Sequence, residues 1–138
     1  MPLRKNRKHE LLKSVPLFAR CSRQEIAELA GECDELPVRA GMELTRQGAR
    51  GREFMVIAEG SATVTKDGEP IASLGPGDFL GEIALLADVP RTATVTTDEP
   101  SVLLVLTDRA FERVASRLPD VRASLLTALA ERLQTSSV

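Results

Sequence analysis

Residues 75–95, GPGDFLGEIALLADVPRTATV, combine a tight turn, a very short helix and a β-branched run in one segment. The first four residues predict the turn, and the helix that follows, over residues 81–86, begins at a glycine. The start of a helix presents backbone N–H groups and the positive end of the helix dipole, and both favour an anion. Because Gly81 has no side chain, an anion can approach this backbone closely. The segment therefore predicts an anion-binding turn.

Arg91 stands at the head of the β-branched part of this segment. Strand alternation would place Arg91, Ala93 and Val95 on one face, which has the composition of an interior face. A guanidinium directed inward is costly unless an anion meets it, and its planar fork suits a phosphate or a carboxylate. The alternative is that Arg91 binds no anion, because a single arginine after a proline is usually solvated at a strand edge. A single glutamate near a helix start is likewise usually only a partner of the dipole.

Residues 81–95, GEIALLADVPRTATV, resemble the phosphate-binding cassette of the cyclic nucleotide-binding domain family. The family pattern is Gly-Glu-(Ile/Leu)-Ala-Leu, a short spacer, and Pro-Arg-x-Ala-Thr-Val, and the spacing here matches it without a gap. One departure is Leu80, where the family often has an aromatic residue, and the neighbouring Phe79 can compensate for it.

The resemblance implies roles for individual residues. Glu82 would hold the ribose 2′-hydroxyl, Arg91 would hold the cyclic phosphate, and the backbone N–H groups of Ala84 and Thr92 would complete the phosphate site. The expected ligand-binding residues are Gly81, Glu82, Ile83, Ala84, Arg91, Thr92 and Ala93. A threonine at the position of Thr92 is associated with cGMP in eukaryotic kinases of the family, whereas bacterial members with Ser or Thr there often prefer cAMP. We therefore expect cAMP as the first ligand and cGMP as the second.

The middle of the chain predicts a β-structure. From residue 35 onward, short alternating runs are separated by turn residues, which is the pattern of a sandwich or barrel. The Asp67-Gly68 pair is a strong signal for a type I′ hairpin. The predicted strands are 36–39, 42–46, 53–58, 61–66, 70–74, 92–97 and 101–106. We predict an α+β chain built on a β jelly-roll barrel of about eight strands, whose cavity can hold one small ligand.

Helical patterns precede this predicted barrel. Residues 9–14 predict a short helix that ends before Pro16, because the residue before a proline avoids helical geometry. Residues 22–25, SRQE, form a capping box for a second helix that should run to about Ala30 and stop at Gly31. The resemblance also implies a small N-terminal helical bundle.

The last third of the sequence returns to helical periodicity. One helix is predicted over residues 107–118, and a second begins at Pro119, which suits a first helical turn. The apolar stripe of the second helix consists of Val121, Leu125, Leu126, Leu129 and Leu133. This stripe either packs against the chain's own barrel or, as the resemblance implies, caps the ligand or pairs with a second copy in a homodimer.

A length of 138 residues is that of one ordinary domain. We predict a single cyclic nucleotide-binding domain over residues 1–138. Its N-terminal helices would occupy 1–34, the barrel 35–106 with the cassette at 78–95, and the C-terminal helices 107–138.

The net charge, the hydropathy and the cysteines bear on partners and on the cellular compartment. A net charge of −2 gives no general reason to expect nucleic acid or a membrane, and the basic cluster at residues 4–8 is either a solvated end or a docking patch. No apolar run reaches the roughly eighteen residues of a membrane span, and no signal segment lies near Met1. We expect a cytoplasmic protein with Cys21 and Cys33 reduced, since they lack CxxC spacing.

Two classes of function fit a jelly roll of this kind. One is a non-catalytic regulatory module that binds a cyclic nucleotide and signals through its C-terminal helix, and the other is a small metal-dependent enzyme. The only histidine, His9, lies outside the barrel. The barrel therefore has neither a Ser/His/Asp or Cys/His catalytic arrangement nor clustered histidine ligands for a metal. We therefore expect the regulatory module, with no catalytic residue, no metal and no cofactor beyond the nucleotide.

A transcription regulator of the catabolite-activator type is a third possibility, since such proteins share the binding domain. They continue into a helix-turn-helix domain, for which the sequence up to Val138 leaves no room. We accordingly expect no DNA-binding domain in this chain and an effector protein, not identifiable from the sequence, as the partner.

Overall fold

The computed structural model describes residues 3–136, apart from the side chains of residues 132–136. The helices are α1 (Lys5–Lys13), α2 (Arg23–Glu32), α3 (Asp108–Arg117) and α4 (Asp120–Ser136), and two 3-10 helices cover Pro16–Phe18 and Glu82–Leu85. The strands are β1 (Asp34–Val38), β2 (Glu43–Thr45), β3 (Glu53–Glu59), β4 (Ala62–Lys66), β5 (Glu69–Leu74), β6 (Phe79–Leu80), β7 (Thr94–Thr97) and β8 (Ser101–Thr107).

The chain divides into two compact units. Residues 34–108 form a β unit, and residues 1–33 together with 109–138 form a helical unit. These limits fall within two residues of the predicted limits of the barrel. That both units make up one domain stays a prediction.

The β unit consists of two four-stranded antiparallel sheets, which confirms the predicted jelly-roll architecture. One sheet has the order β1-β8-β3-β6 and the other the order β2-β7-β4-β5. Each predicted strand is present with ends shifted by at most two residues, and the two-residue strand β6 is additional. A strand this short has no alternation to detect, so sequence periodicity missed it.

The core of the β unit lies between the two sheets and consists of apolar side chains from both. Its fully or nearly fully buried members are Met55, Ile57, Ala62, Val95 and Leu103. β3 is central in its sheet and therefore reads as a continuous apolar run, with residues 54–58 all buried. This core supports the strands from which the cassette projects.

The hairpin between β4 and β5 has the predicted turn. Asp67 has φ 52° and Gly68 has φ 82°, so both central residues have the positive φ that a type I′ turn requires. Asp67 is the only non-glycine residue with positive φ in the part of the chain that the structure describes. The turn sets the register in which Lys66 faces Glu69.

In the helical unit, the predicted capping box of α2 is formed in both directions. The Glu25 N–H donates to Ser22 Oγ at 3.1 Å, and the Ser22 N–H donates to Glu25 Oε1 at 2.7 Å. The predicted stop at Gly31 is wrong, because α2 continues to Glu32 and Gly31 is its penultimate residue. α1 begins at Lys5, four residues before the predicted start, so the basic cluster forms its first turn.

The two C-terminal helices occur as predicted, with one exception in their buried faces. Val121 and Leu125 are fully buried, but Leu126 is 51% exposed, so it does not widen the buried stripe. Ala128 is buried instead, because it follows Leu125 on the same helical face. Leu129 is partly buried, and the side chain of Leu133 lies outside the described residues. None of the described helices is long and apolar enough to span a membrane.

Candidate ligand-binding site

A pocket of about 500 Å³ opens in the β unit. All seven residues predicted to bind the ligand line it: Gly81, Glu82, Ile83, Ala84, Arg91, Thr92 and Ala93. The volume falls within the roughly 300–1,000 Å³ typical of small-molecule sites. The structure therefore gathers the residues of the cassette around one cavity.

The pocket has an apolar part and a polar part. Apolar lining comes from several strands and from the end of the cassette: Val64, Leu74, Phe79, Leu80, Val89, Pro90 and Val95. The polar groups are contributed mainly by Glu82 and Arg91, and Glu82 is only 9% exposed. Such a division suits a ligand with a planar apolar part and an anionic part.

The short helix predicted at Gly81 is a 3-10 helix over Glu82–Leu85. Gly81 precedes it with φ 78° and ψ 20°, a left-handed conformation that favours glycine. The Ala84 N–H donates to Gly81 O at 3.1 Å, which closes the turn. Thus the N–H group expected to bind phosphate is already used within this turn, and its role toward a ligand stays a prediction.

The side chain of Arg91 is buried, with 10% of its surface exposed. Its Nη2 donates to the backbone carbonyl of Glu53 at 2.6 Å and lies 3.7 Å from the Glu53 carboxylate. Burial lowers the pKa of Arg91 below its ordinary value, and the nearby Glu53 charge partly opposes this shift. The predicted inward orientation is therefore present, but its first partner belongs to the protein.

Strand alternation is not what turns Arg91 inward. β7 begins at Thr94, so the prediction of a strand from Thr92 is wrong, and Thr92 and Ala93 form a bend. Arg91 is placed by its backbone, because its N–H donates to Ala49 O at 2.8 Å and its carbonyl accepts from the Gly48 N–H at 2.8 Å. Thr92 is exposed at the pocket wall.

The loop over residues 47–51 is the part of the site that sequence reasoning missed. This loop pairs with the cassette through an isolated bridge between Arg50 and Pro90. Arg50 Nη1 also lies 3.1 Å from the Asp88 carboxylate and donates to the Asp88 carbonyl at 3.0 Å. The two glycines of the loop were the available signal, since paired glycines often mark a close backbone approach.

Within the part of the chain that the structure describes, no group of three or more His, Cys, Asp or Glu side chains is arranged to hold a metal ion. Cys21 and Cys33 are both buried, and they are not joined in a disulfide.

An antiparallel jelly roll with a buried arginine in its pocket defines a small-ligand-binding β module. The sequence model of the cyclic nucleotide-binding domain family matches residues 35–117, which are more than half of the sequence. The chain therefore belongs to that family.

Known proteins from several regulatory systems are similar to this chain. A cAMP-dependent protein kinase regulatory subunit of Mycosarcoma maydis is 38% identical over 121 residues, which are 81% of this chain and 23% of that protein. The N-terminal domain of a transcriptional regulator from Streptomyces coelicolor A3(2) has a TM-score of 0.82 and 31% identity, with 92% of each chain covered. The regulatory domain of Toxoplasma gondii PKA, crystallised with cAMP, has a TM-score of 0.72 and 26% identity, covering 93% of this chain and 50% of that one.

The similarity extends over only part of the curated relatives. The matched region spans between 23% and 35% of their lengths. The common element is therefore the binding domain, and the activities of the whole relatives are not carried over with it.

Proposed function

We propose that this chain is a non-catalytic regulatory module that binds a cyclic nucleotide, with cAMP preferred over cGMP. The observation that carries the proposal is the joint placement of Gly81, Glu82 and a buried Arg91 on one pocket of about 500 Å³. The regulatory relatives support it, since one is a kinase regulatory subunit and another was crystallised with cAMP.

In this proposal the cyclic phosphate is the anion that meets Arg91. Burial of the guanidinium is costly and Glu53 offsets only part of that cost, and a bound phosphate would offset more of it by Coulomb attraction and by hydrogen bonds. The backbone N–H groups of Ala84 and Thr92 would lie near the same phosphate, while Ile83 and Ala93 would form its walls.

Glu82 is proposed to accept a hydrogen bond from the ribose 2′-hydroxyl. Its low exposure and its place on the pocket wall support this role, because a carboxylate accepts hydrogen bonds only and the ribose offers a donor. The base would then lie toward the apolar residues of the pocket.

The choice of base is proposed to favour adenine. Thr92 is exposed in a bend, a position from which its hydroxyl can reach a bound base without being fixed in advance. The cAMP-bound relative supports cAMP as the first ligand to test.

The proposed output is a change in the C-terminal helix α4 that an effector protein reads. The exposed Leu126 would belong to the surface of α4 that the effector contacts. Alternatively, residues 121–133 would pair with a second copy of the chain in a homodimer. A cytoplasmic location and the absence of catalytic activity belong to this proposal as predictions.

Calorimetric titration of the purified chain with cAMP, cGMP and 5′-AMP tests the proposal. We expect saturable binding of both cyclic nucleotides, tighter for cAMP, and much weaker binding of 5′-AMP, whose phosphate is not closed onto the ribose. A chain that binds none of the three, while its thermal unfolding shows it to be folded, would contradict the proposed function.

A further inference from the structure

Gly51 lies directly against the guanidinium of Arg91. A Cβ built on Gly51 would be 2.5 Å from Arg91 Nε, 2.6 Å from Nη2 and 2.9 Å from Cζ. Real Cβ atoms essentially never make contacts under 3.0 Å, so a side chain at position 51 and Arg91 in its present place exclude each other. The φ of Gly51 lies outside the left-handed region, so its own backbone does not require glycine. The requirement for glycine at position 51 comes from the neighbouring Arg91.

The guanidinium has two further fixed neighbours. A Cβ on Gly81 would collide with Arg91 Nη1 and would lie 2.6 Å from the Glu53 carbonyl oxygen. That same carbonyl accepts the 2.6 Å hydrogen bond from Nη2. Arg91 therefore passes through a slot, formed by Gly51, Gly81 and the Glu53 carbonyl, that leaves little freedom for another orientation.

We propose that Gly51 is a positioning residue for ligand binding, because its missing side chain lets Arg91 occupy the orientation in which its guanidinium serves the pocket. This inference rests on the proposed function, in which Arg91 holds the cyclic phosphate. Gly51 itself does not line that pocket. Its effect on the ligand is exerted through Arg91.

Alanine at position 51 would displace Arg91 and leave the fold nearly unchanged. The guanidinium must move about 0.9 Å to bring the 2.5 Å contact to the 3.4 Å of ordinary van der Waals contact. The atoms that collide belong to a side chain and not to the backbone, so the chain can keep its fold, and the cost to stability is limited to the hydrogen bond from Arg91 Nη2 to the Glu53 carbonyl. A guanidinium displaced by about 1 Å loses the geometry of a charge-assisted hydrogen bond to a phosphate, and such a loss lowers affinity by roughly ten- to 150-fold.

Gly75 provides a matched control in the same unit. Its φ also lies outside the left-handed region, and a Cβ built there meets no atom within 4 Å. We expect Gly51→Ala to lower cAMP affinity by roughly tenfold or more and Gly75→Ala to leave it unchanged, with thermal unfolding of both close to wild type. Wild-type affinity in a folded Gly51→Ala variant would overturn the proposal.

The same Gly51→Ala substitution in an Arg91→Lys chain shows whether its effect on affinity is exerted through Arg91. Lysine has its Cε where Arg91 has its Nε, but its flexible stem carries no planar fork, so it can turn away from a Cβ at position 51. In an Arg91→Lys chain, which binds weakly and is titrated at high cAMP concentration, adding Gly51→Ala should cost less than twofold. An equal loss in both backgrounds would show a general effect on the loop and overturn the proposal. Should Gly51→Ala alone fail to fold, recovery of folding on adding Arg91→Lys supports the slot, and no recovery overturns it.

The NMR signal of the Arg91 Nε–Hε group tests the slot without any ligand. We expect the signal to shift or to lose protection from solvent exchange in Gly51→Ala and to stay unchanged in Gly75→Ala. An unchanged signal in Gly51→Ala overturns the positioning role whether or not the chain binds a nucleotide. A wild-type chain that binds no cyclic nucleotide contradicts the proposed function instead, and this signal then decides the slot by itself.

Discussion

The guanidinium of Arg91 is bonded to the backbone carbonyl of Glu53 by a 2.6 Å hydrogen bond. The Glu53 carboxylate lies 3.7 Å from the same nitrogen, and it is about half exposed, whereas Arg91 is almost fully buried. The arginine is thus oriented by the protein before any ligand binds. Such preorganisation reduces the entropy that binding has to overcome.

Substitution of Arg91 by alanine should nearly abolish binding of cyclic nucleotides. Removing one partner of a buried, hydrogen-bonded charge pair costs roughly 2–5 kcal/mol, or about 30- to 4,000-fold in affinity. Arg39→Ala is a matched control, because Arg39 is exposed and does not line the pocket. Calorimetric titration should show normal binding by Arg39→Ala. Near-normal binding by Arg91→Ala would remove the phosphate role of this arginine.

Substitution of Glu82 by glutamine should have a milder effect, because it weakens a hydroxyl contact and leaves the main charge partner in place. Glutamine still accepts a hydrogen bond, so the loss is the difference between a charged and a neutral acceptor, roughly 1–1.5 kcal/mol, or about five- to tenfold for cAMP. The matched ligand is 2′-deoxy-cAMP, which lacks the hydroxyl. Wild type should discriminate strongly against it, and Glu82→Gln should discriminate less. Equal discrimination by both chains would show that Glu82 does not contact the ribose.

The fold could be predicted from local patterns that the structure preserves. The Asp67-Gly68 turn depends on φ values that few residue pairs adopt, and the Ser22–Glu25 capping box depends on two reciprocal bonds within four residues. Both are set by neighbours in sequence. Leu126 shows the limit, because whether an apolar side chain on a helix is buried depends on which elements pack against it.

The candidate site was predicted only in part, for a similar reason. The cassette was recognised because its residues are contiguous in the sequence. Gly51 and Glu53 were missed, because they contact Arg91 from the end of a loop and the start of β3, about 40 positions earlier, and sequence spacing does not show that approach. The inward direction of Arg91 was predicted for an incorrect reason, since the backbone bonds to Ala49 and Gly48 place it and strand alternation does not.

The thiol of Cys21 should be chemically inert in the folded chain. Burial, with a smaller contribution from the Glu25 charge, raises its pKa from 9.0 to about 12, and only 3% of the residue is exposed. Because the thiolate is the reactive form, iodoacetamide at pH 8 should modify Cys21 slowly in native protein and rapidly in denaturant. Peptide mass spectrometry measures both rates. Fast modification of the native chain would show that this part of the helical unit opens readily.

The same pKa shift predicts how stability depends on alkaline pH. Below the unfolded-state pKa near 9 the thiol is neutral in both states, so the stability is fully present there. As pH rises from about 9 toward about 12, the unfolded chain loses this proton first and the free energy of unfolding falls. Urea unfolding at several pH values should show a smaller decline for Cys21→Ala than for wild type. Parallel declines would contradict the shift.

Binding of nucleotide should change amide hydrogen exchange in α4. If the position of this helix carries the signal, the ligand must prefer one arrangement of it, because a ligand with equal affinity for two states shifts neither. Exchange over residues 121–133 should therefore slow or quicken when cAMP is added. Helix α2 serves as the internal control, since overall stabilisation by ligand would slow both helices alike. A change confined to residues 81–95 would indicate a static α4.

The last prediction concerns the base. Thr92 lies exposed at the pocket wall, within a bend whose side chains do not follow strand alternation, and we propose that its hydroxyl contacts the base of a bound nucleotide. A guanine amino group would donate to that hydroxyl, and adenine can accept from it, but we expect the contact to matter more for cGMP.

Loss of one such hydrogen bond costs roughly 0.5–1.5 kcal/mol, so Thr92→Ala should reduce cGMP affinity by about two- to tenfold and cAMP affinity by less. Competition titrations of both nucleotides against wild type and the variant measure this difference. Thr63→Ala is the matched control, because the Thr63 hydroxyl donates to Asp98 at 2.8 Å and Thr63 does not line the pocket. Tighter binding of cGMP than of cAMP by wild type would reverse the proposed preference. Equal losses for both nucleotides in Thr92→Ala would show that the hydroxyl has no part in choosing between them.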